Sequence, residues 1–149
     1  MNKILSFIFV FFLFSCSYDP ILKQKNYNFS INLNNVKGDS EINSIISEKF
    51  SSINGSGKNY ELTLISNKTK KIMSKDTKGD PSIFELQINV KYKVNISNKN
   101  LIEREVKRKT TYNNISDKFE LENYEKTIIK NLSLDISDNI INSISEIHE

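Results

Sequence analysis

Residues 84–96 read FELQINVKYKVNI, and their alternation is the strongest structural signal in the chain. Apolar side chains occupy every even position of this segment, and polar side chains occupy every odd position between them. A period of two residues over this length predicts a long antiparallel strand with one buried face and one hydrated face. A sheet therefore lies at the centre of the predicted fold.

Three other segments alternate in a similar way and complete the predicted sheet. They cover residues 27–33, 60–64 and 101–112. We expect the second of these strands to end in a lysine-rich loop over residues 68–78. We expect the last to follow a hairpin turn at residues 97–100, which are polar.

Two segments repeat apolar residues every three or four positions, the spacing of a helix with one apolar side. The first covers residues 40–53, with Asp39 and Ser40 as candidate N-caps. The second begins at Asp117, continues to the end of the chain and is long enough to cover the sheet. Its apolar stripe consists of Leu121, Tyr124, Ile128, Leu132, Ile136, Ile140, Ile144 and Ile147.

Leu134 and Ile141 fall roughly opposite this stripe on a helix of 3.6 residues per turn. Isolated apolar residues are common on protein surfaces, which is one interpretation of the pair. The other interpretation is that Leu134 and Ile141 contact a partner protein.

Together these segments predict an α+β fold with the order β-α-β-β-β-α. The expected architecture is a two-layer sandwich, in which two helices pack on one face of a mostly antiparallel four-stranded sheet. The other face of the sheet is left uncovered and polar.

The first fifteen residues have the layout of a secretory signal peptide, with Lys3, an apolar run over residues 4–14 and then Ser15. The apolar run extends only about 16 Å as a helix, which is too short to span a bilayer. Cys16 follows directly and is the only cysteine. An ordinary free thiol is one interpretation, but the sequence around Cys16 resembles a lipobox, so we expect cleavage before Cys16 and acylation of it.

These expectations divide the chain into a signal peptide at residues 1–15, a lipidated tether at residues 16–25 and one α/β domain at residues 26–149. Ser17 stands where an Asp would retain a lipoprotein in the inner membrane, so the pattern resembles that of outer-membrane lipoproteins. The expected location is the periplasmic side of the outer membrane, with the membrane contact made by the lipid.

The composition argues against catalysis and cofactor binding. The single histidine, His148, is the second-last residue, and Cys16 is expected to carry lipid, so a nucleophile with its base is not available. One histidine and no acidic cluster with calcium-loop spacing leave no metal site. Loss of Lys3 with the leader lowers the net charge from +3 to +2, which is too small for a nucleic-acid-binding protein. We expect no enzyme, no metal, no cofactor and no nucleic-acid partner.

A basic cluster, Arg104, Lys107, Arg108 and Lys109, lies in the last predicted strand. It is interpreted either as a solvated surface or as a site for the phosphates of an anionic glycolipid, for which arginine's planar fork is suited. Arg104 and Arg108 share a strand face with Ile102. Either the aliphatic parts of these side chains cover apolar surface while the guanidinium groups stay in water, or this face meets a polar partner.

The order of elements and three local features resemble a known family. The features are the Cys16-Ser17-Tyr18-Asp19-Pro20 start, the long alternating strand, and Thr111-Tyr112-Asn113 before a long final helix. On these the chain is similar to the lipopolysaccharide-assembly lipoprotein family, LptE. The resemblance implies a plug and assembly partner of the outer-membrane β-barrel LptD that also binds lipopolysaccharide.

Two other functions fit the same residues. One is an auxiliary lipoprotein of a periplasmic phospholipid transport system, which would hold lipid in a groove between helix and sheet. The other is a lipoprotein that inhibits an enzyme. Copurification with a large β-barrel protein would distinguish the LptE-like role from both of these alternatives.

Overall fold

The computed structural model describes residues 27–97 and 99–148. They form β1 (Phe29–Gly38), α1 (Ser40–Ser51), β2 (Lys58–Lys75), β3 (Pro81–Ile96), β4 (Lys99–Asn113) and α2 (Lys118–His148). The prediction of an α+β fold with two helices and four strands is confirmed. The predicted signal peptide and the whole predicted tether, Cys16 included, lie outside the described residues.

The sheet is mixed, so the prediction of a mostly antiparallel sheet is corrected. The strand order is β1-β2-β3-β4. β2, β3 and β4 pair antiparallel through hairpins, whereas β1 and β2 pair in parallel. The reason is that α1 connects β1 to β2 as a crossover, which returns the chain to the end of the sheet from which β1 started.

β2 is longer than the alternation of residues 60–64 predicts, and the lysine-rich segment is strand rather than loop. Its pairing with β3 continues to Lys75 opposite Pro81. β3 supplies hydrogen-bonding partners along this whole length, which the local sequence of β2 does not reveal. The hairpin closes at Asp76, whose carboxylate accepts hydrogen bonds from the backbone N–H groups of Lys78 and Asp80, both at 2.9 Å.

Asp39 caps α1, as predicted, by accepting hydrogen bonds from the N–H groups of Glu41 and Ile42 at 3.1 and 3.2 Å. Lys68 of β2 lies 3.2 Å from the Asp39 carboxylate. Partial burial raises the pKa of Asp39, but the hydrogen bonds from Ile42 and Lys68 outweigh it and hold the pKa below its ordinary 3.8. The ionised cap therefore stabilises the folded domain.

Asp39→Ala should lower the free energy of unfolding by about 1 kcal/mol at neutral pH, the usual cost of a lost N-cap. Because the folded pKa is depressed, the contribution of ionised Asp39 is present above pH 3.8 and is lost as the pH falls through the folded value. Urea unfolding at neutral pH and below pH 3.8 should show the difference between the two chains shrinking. Asp39→Asn, which keeps a capping oxygen, is the matched control, and a constant difference at both pH values would contradict this account.

α2 runs back along the whole sheet from the β2–β3 hairpin to the start of β1, where His148 packs against Phe29 and Tyr60. The core lies between the two helices and the sheet. It includes apolar residues from all four strands together with others from α1 and α2. The side chains in the middle of this layer are fully buried, Tyr60, Leu62, Ile88, Val90, Ile136 and Ile140 among them.

The expectation that Ile141 faces away from the core is wrong, because Ile141 is fully buried. α2 packs against α1 as well as against the sheet, so it buries a wider arc than the predicted stripe. Asp138 lies one turn before Ile141 on the same side and forms an ion pair with Lys49 of α1 at 3.1 Å. Leu134 lies on this side too and is half-buried.

Candidate functional site

The candidate site is the face of the sheet opposite the helices, which we call the open face. The register places the odd-numbered residues of β2, β3 and β4 on it through residue 71 of β2. Its central side chains are hydrophilic and lie in cross-strand rows: Thr63, Asn67, Thr69 and Lys71 of β2, Gln87, Asn89, Lys91 and Lys93 of β3, and Glu103, Glu105, Lys107 and Lys109 of β4. Ile65, half exposed, interrupts the β2 row. The prediction of an uncovered polar face is thus met among the described residues.

Charges on the open face are arranged as neighbouring opposite pairs. Lys93 lies 3.0 Å from Glu103, and Lys107 lies 3.4 Å from Glu105. Glu105 also accepts a hydrogen bond from the amide of Asn89 at 2.5 Å, and this bond together with Lys107 holds the pKa of Glu105 below its ordinary value. Glu105 is therefore ionised at neutral pH.

Glu85 is the most enclosed acid of the open face, with only 7% of the residue exposed. It accepts a hydrogen bond from Lys109 at 2.9 Å. The side-chain oxygen of Asn89 is also enclosed and has no hydrogen-bond partner within the described part of the chain. A buried acceptor without a donor costs free energy, so Asn89 is a position of local strain in the open face.

The four basic residues predicted to contact an anionic glycolipid do not form one patch. Arg104 and Arg108 point to the helix side, where Arg104 donates to Ser143 at 3.3 Å and Arg108 donates to Asp135 at 2.6 Å. Lys107 and Lys109 point to the open face. The alternation of the strand separates them, because successive side chains point to opposite faces.

The β2–β3 hairpin carries exposed apolar residues that the sequence interpretation missed. Ile72 and Met73 are 51% and 54% exposed, and they follow Lys71 within the lysine-rich segment. Phe119, in the first turn of α2, is 75% exposed and lies at the same end of the sheet. Two adjacent apolar residues inside a lysine-rich run could have indicated this exposed patch from the sequence. They were missed because the segment was predicted to be a loop.

A polar cluster fastens the start of α2 to this end of the sheet. Glu125 accepts hydrogen bonds from Lys70 at 2.5 Å and from the Tyr112 hydroxyl at 2.7 Å. Burial and the bond to Glu125 raise the pKa of Tyr112 well above its ordinary value. Lys70 also lies over the ring of Phe84, 4.2 Å from its centroid, so the hairpin and the helix are joined by charge and aromatic contacts.

The hairpin and the start of the domain lie at opposite ends of the sheet. β1 and β2 start at the same end because they are parallel, and β2 then extends for 18 residues. At about 3.3 Å per residue this is roughly 55 Å. The start of β1 is therefore at one end of the sheet, and Ile72 and Met73 are near the other.

Among residues 27–97 and 99–148, no group of three or more His, Cys, Asp or Glu side chains is placed to hold a metal ion. In the same part of the chain neither helix is long and apolar enough to cross a membrane.

Solved structures of bacterial lipoproteins resemble this fold. Rare lipoprotein B from Shewanella oneidensis superimposes with a TM-score of 0.60 at 14% identity, over 78% of this chain and 96% of that one. An uncharacterized lipoprotein B from Nitrosomonas europaea gives a TM-score of 0.60 at 15% identity, over 84% of this chain and 90% of that one. A minor lipoprotein from Acinetobacter baumannii gives a TM-score of 0.51 at 10% identity, over 76% and 90%. No family model and no curated protein sequence matches the chain.

At these identities the likeness is one of fold. The chain has the fold of rare lipoprotein B, a name used for the LptE family. The resemblance to that family expected from the sequence is confirmed at this level.

Proposed function

We propose that the chain is an outer-membrane lipoprotein of lipopolysaccharide transport, anchored by lipid on Cys16 and facing the periplasm. In this role it serves as plug and assembly partner of the LptD barrel, binds lipopolysaccharide and catalyses no reaction. The observation that carries the proposal is the fold of rare lipoprotein B combined with a hydrated open face on one side of the sheet.

The open face suits the interior of a barrel for a physical reason. The lumen of an outer-membrane barrel is polar, so a domain seated in it must present polar and charged groups rather than an apolar surface. The open face presents amides, hydroxyls and oppositely charged pairs in rows. We propose that this face contacts the barrel.

Lipopolysaccharide binding is proposed at the accessible half of the predicted basic cluster. Lys107 and Lys109 lie on the open face with side chains more than half exposed, and their intrachain partners are Glu105 and Glu85. The Lys107–Glu105 pair is exposed and weak, so a phosphate can replace that carboxylate. Lys109 keeps its bond to the enclosed Glu85 and offers the remaining N–H groups of its ammonium. Arg104 and Arg108 support β4 against α2 in this proposal.

The structure does not favour the alternative role in phospholipid transport. That role needs a lipid-sized groove between helix and sheet. The layer between them is filled by fully buried side chains from both sides, including Leu62, Ile88, Ile136 and Ile140. Within the described residues this layer is a packed core.

A pull-down from outer membranes in mild detergent tests the proposal. The native chain should copurify with LptD, identified by mass spectrometry. Thr69→Arg with Gln87→Arg, two neighbours across the β2–β3 pairing on the open face, should reduce the recovered barrel at least about tenfold by placing bulky charge in the interface.

Thr127→Arg with Asn131→Arg is the matched control, because both residues are exposed on α2 and carry the same added charge. Recovery of the barrel by this control should equal that by the native chain. Absence of the barrel from the native pull-down would refute the proposed function, and equal loss in both variants would refute the assignment of the open face.

A further inference from the structure

Ile65 of β2 is the apolar residue that interrupts the hydrophilic rows of the open face. It is 50% exposed, and its neighbours along the same face of β2 are Thr63 and Asn67. Single apolar residues are common on protein surfaces and need no explanation by themselves. The significance of Ile65 therefore depends on the side chains that flank it on the neighbouring strands.

Two lysines flank Ile65 across the sheet. The register places Lys37 of β1 opposite Ile65 on one side and Lys91 of β3 opposite it on the other. Both lysines are exposed. At a strand spacing of about 4.8 Å their Cα atoms are roughly 10 Å apart, with Ile65 between them. We call these three residues the Ile65 site.

Neither lysine of the Ile65 site forms an ion pair within the part of the chain that the structure describes. Other lysines of the open face do form such pairs: Lys93 with Glu103, Lys107 with Glu105 and Lys109 with Glu85. Glu105 lies opposite Lys91, but its carboxylate binds Asn89 and Lys107. The Ile65 site therefore presents two ammonium groups that can bind carboxylates from outside the chain.

We propose that the Ile65 site binds a segment of the barrel wall that carries an apolar side chain beside Asp or Glu carboxylates. Covering Ile65 removes apolar surface from water. The same contact shields the ion pairs of Lys37 and Lys91 from water, which strengthens them. This inference rests on the proposed function, and it names the point of the open face at which the barrel is held.

A protein segment fits the Ile65 site better than a glycolipid does. An acyl chain needs a continuous apolar track, whereas Ile65 offers contact for a single side chain between the hydrophilic Thr63 and Asn67. The lumen wall of an outer-membrane barrel is polar and supplies charged side chains. Ile65 is two strands away from Lys107 and Lys109 of β4, so the wall and lipopolysaccharide can bind at the same time.

The pull-down from outer membranes tests the apolar contact when it is repeated with variants of Ile65. Ile65→Thr keeps the branched shape that suits a strand but places a hydroxyl in the contact. It should reduce the recovered barrel at least about fivefold. Ile65→Val, which stays apolar, is the matched control and should recover the barrel within about twofold of the native chain.

The charges are tested by reversing both lysines. Lys37→Glu combined with Lys91→Glu should reduce the recovered barrel at least about tenfold, because the new carboxylates repel those of the wall. Lys118→Glu combined with Lys130→Glu changes the net charge equally at exposed positions of α2 and should recover the barrel as the native chain does. Circular dichroism establishes that each variant is folded.

Carbodiimide coupling tests the chemistry of the partner in the native complex, without a substitution. The reagent joins a lysine amine to a carboxylate in contact with it, and mass spectrometry of the digested complex identifies the linked residues. Lys37 or Lys91 should be linked to an Asp or Glu of the barrel. Lys130, which is exposed on α2, should not be.

The outcomes separate this inference from the proposed function. A native chain that recovers no barrel would overturn both. A native chain that recovers the barrel, together with equal recovery by Ile65→Thr and by the double lysine variant, would overturn the Ile65 site alone. Links from Lys37 and Lys91 only to carboxylates of their own chain would do the same. So would a loss of bound lipopolysaccharide in these variants with recovery of the barrel unchanged.

Discussion

Replacing Ile141 with lysine should remove most of the stability of the domain. Ile141 is fully buried on the side of α2 that faces α1. Deleting a buried isoleucine costs roughly 2–5 kcal/mol, and placing an unpaired ammonium there adds a desolvation cost, so we expect a loss of at least about 4 kcal/mol. The whole free energy of unfolding of a small domain is about 5–15 kcal/mol, so the variant is expected to be largely or wholly unfolded. Urea denaturation followed by circular dichroism measures the loss.

Leu134→Lys is the matched control, because Leu134 lies on the same side of α2 but is only half-buried. A lysine stem can lie along the apolar surface there and keep its charge in water, so the expected cost is below about 1 kcal/mol. Equal losses in the two variants would show that the packing of α2 on α1 is not as described. The pair also distinguishes a core position from a partner contact, since a contact residue would tolerate the change in the isolated domain.

Gly38→Ala should be the second most damaging single change among those considered. Gly38 has a φ of +103°, where residues with a Cβ are strained. An added Cβ would lie 1.8 Å from the carbonyl oxygen of Ser66 and 2.8 Å from its carbonyl carbon. Those are backbone atoms of the paired strand, so relief requires separating the ends of β1 and β2. We expect a loss of about 3 kcal/mol or more in urea unfolding.

Gly79→Ala separates backbone strain from the clash. Gly79 has a φ of +91° in the β2–β3 turn, but an added Cβ would meet no atom within 4 Å. The expected loss in the free energy of unfolding is therefore due to backbone strain alone and is about 1 kcal/mol. A loss at Gly38 no larger than the loss at Gly79 would contradict the close approach of Gly38 to Ser66.

The binding surface was only partly visible in the sequence. The uncovered polar face follows from the alternation of β3, because its odd positions from 85 to 95 are all hydrophilic. Alternation also separates Arg104 and Arg108 from Lys107 and Lys109, although the four are close in the sequence. What they contact depends on distant residues: Asp135 and Ser143 of α2 on one side, and Glu85 and Glu105 on the other.

Local chemistry was sufficient to determine the type of most elements. The strict period of two in β3, the three-to-four spacing in both helices and the capping carboxylate of Asp39 each depend on residues near one another in the chain. They establish an α+β domain with a sheet covered on one side. They carry no information about which segments meet across long separations.

Packing between distant segments determined the rest. β2 continues to Lys75 because β3 lies beside it, and β1 is parallel because α1 returns the chain to the starting end. Ile141 is buried because α1 occupies the side of α2 that its spacing left open. In each case the deciding energy is the burial or hydrogen bonding supplied by a partner segment, which the periodicity of a single segment cannot contain.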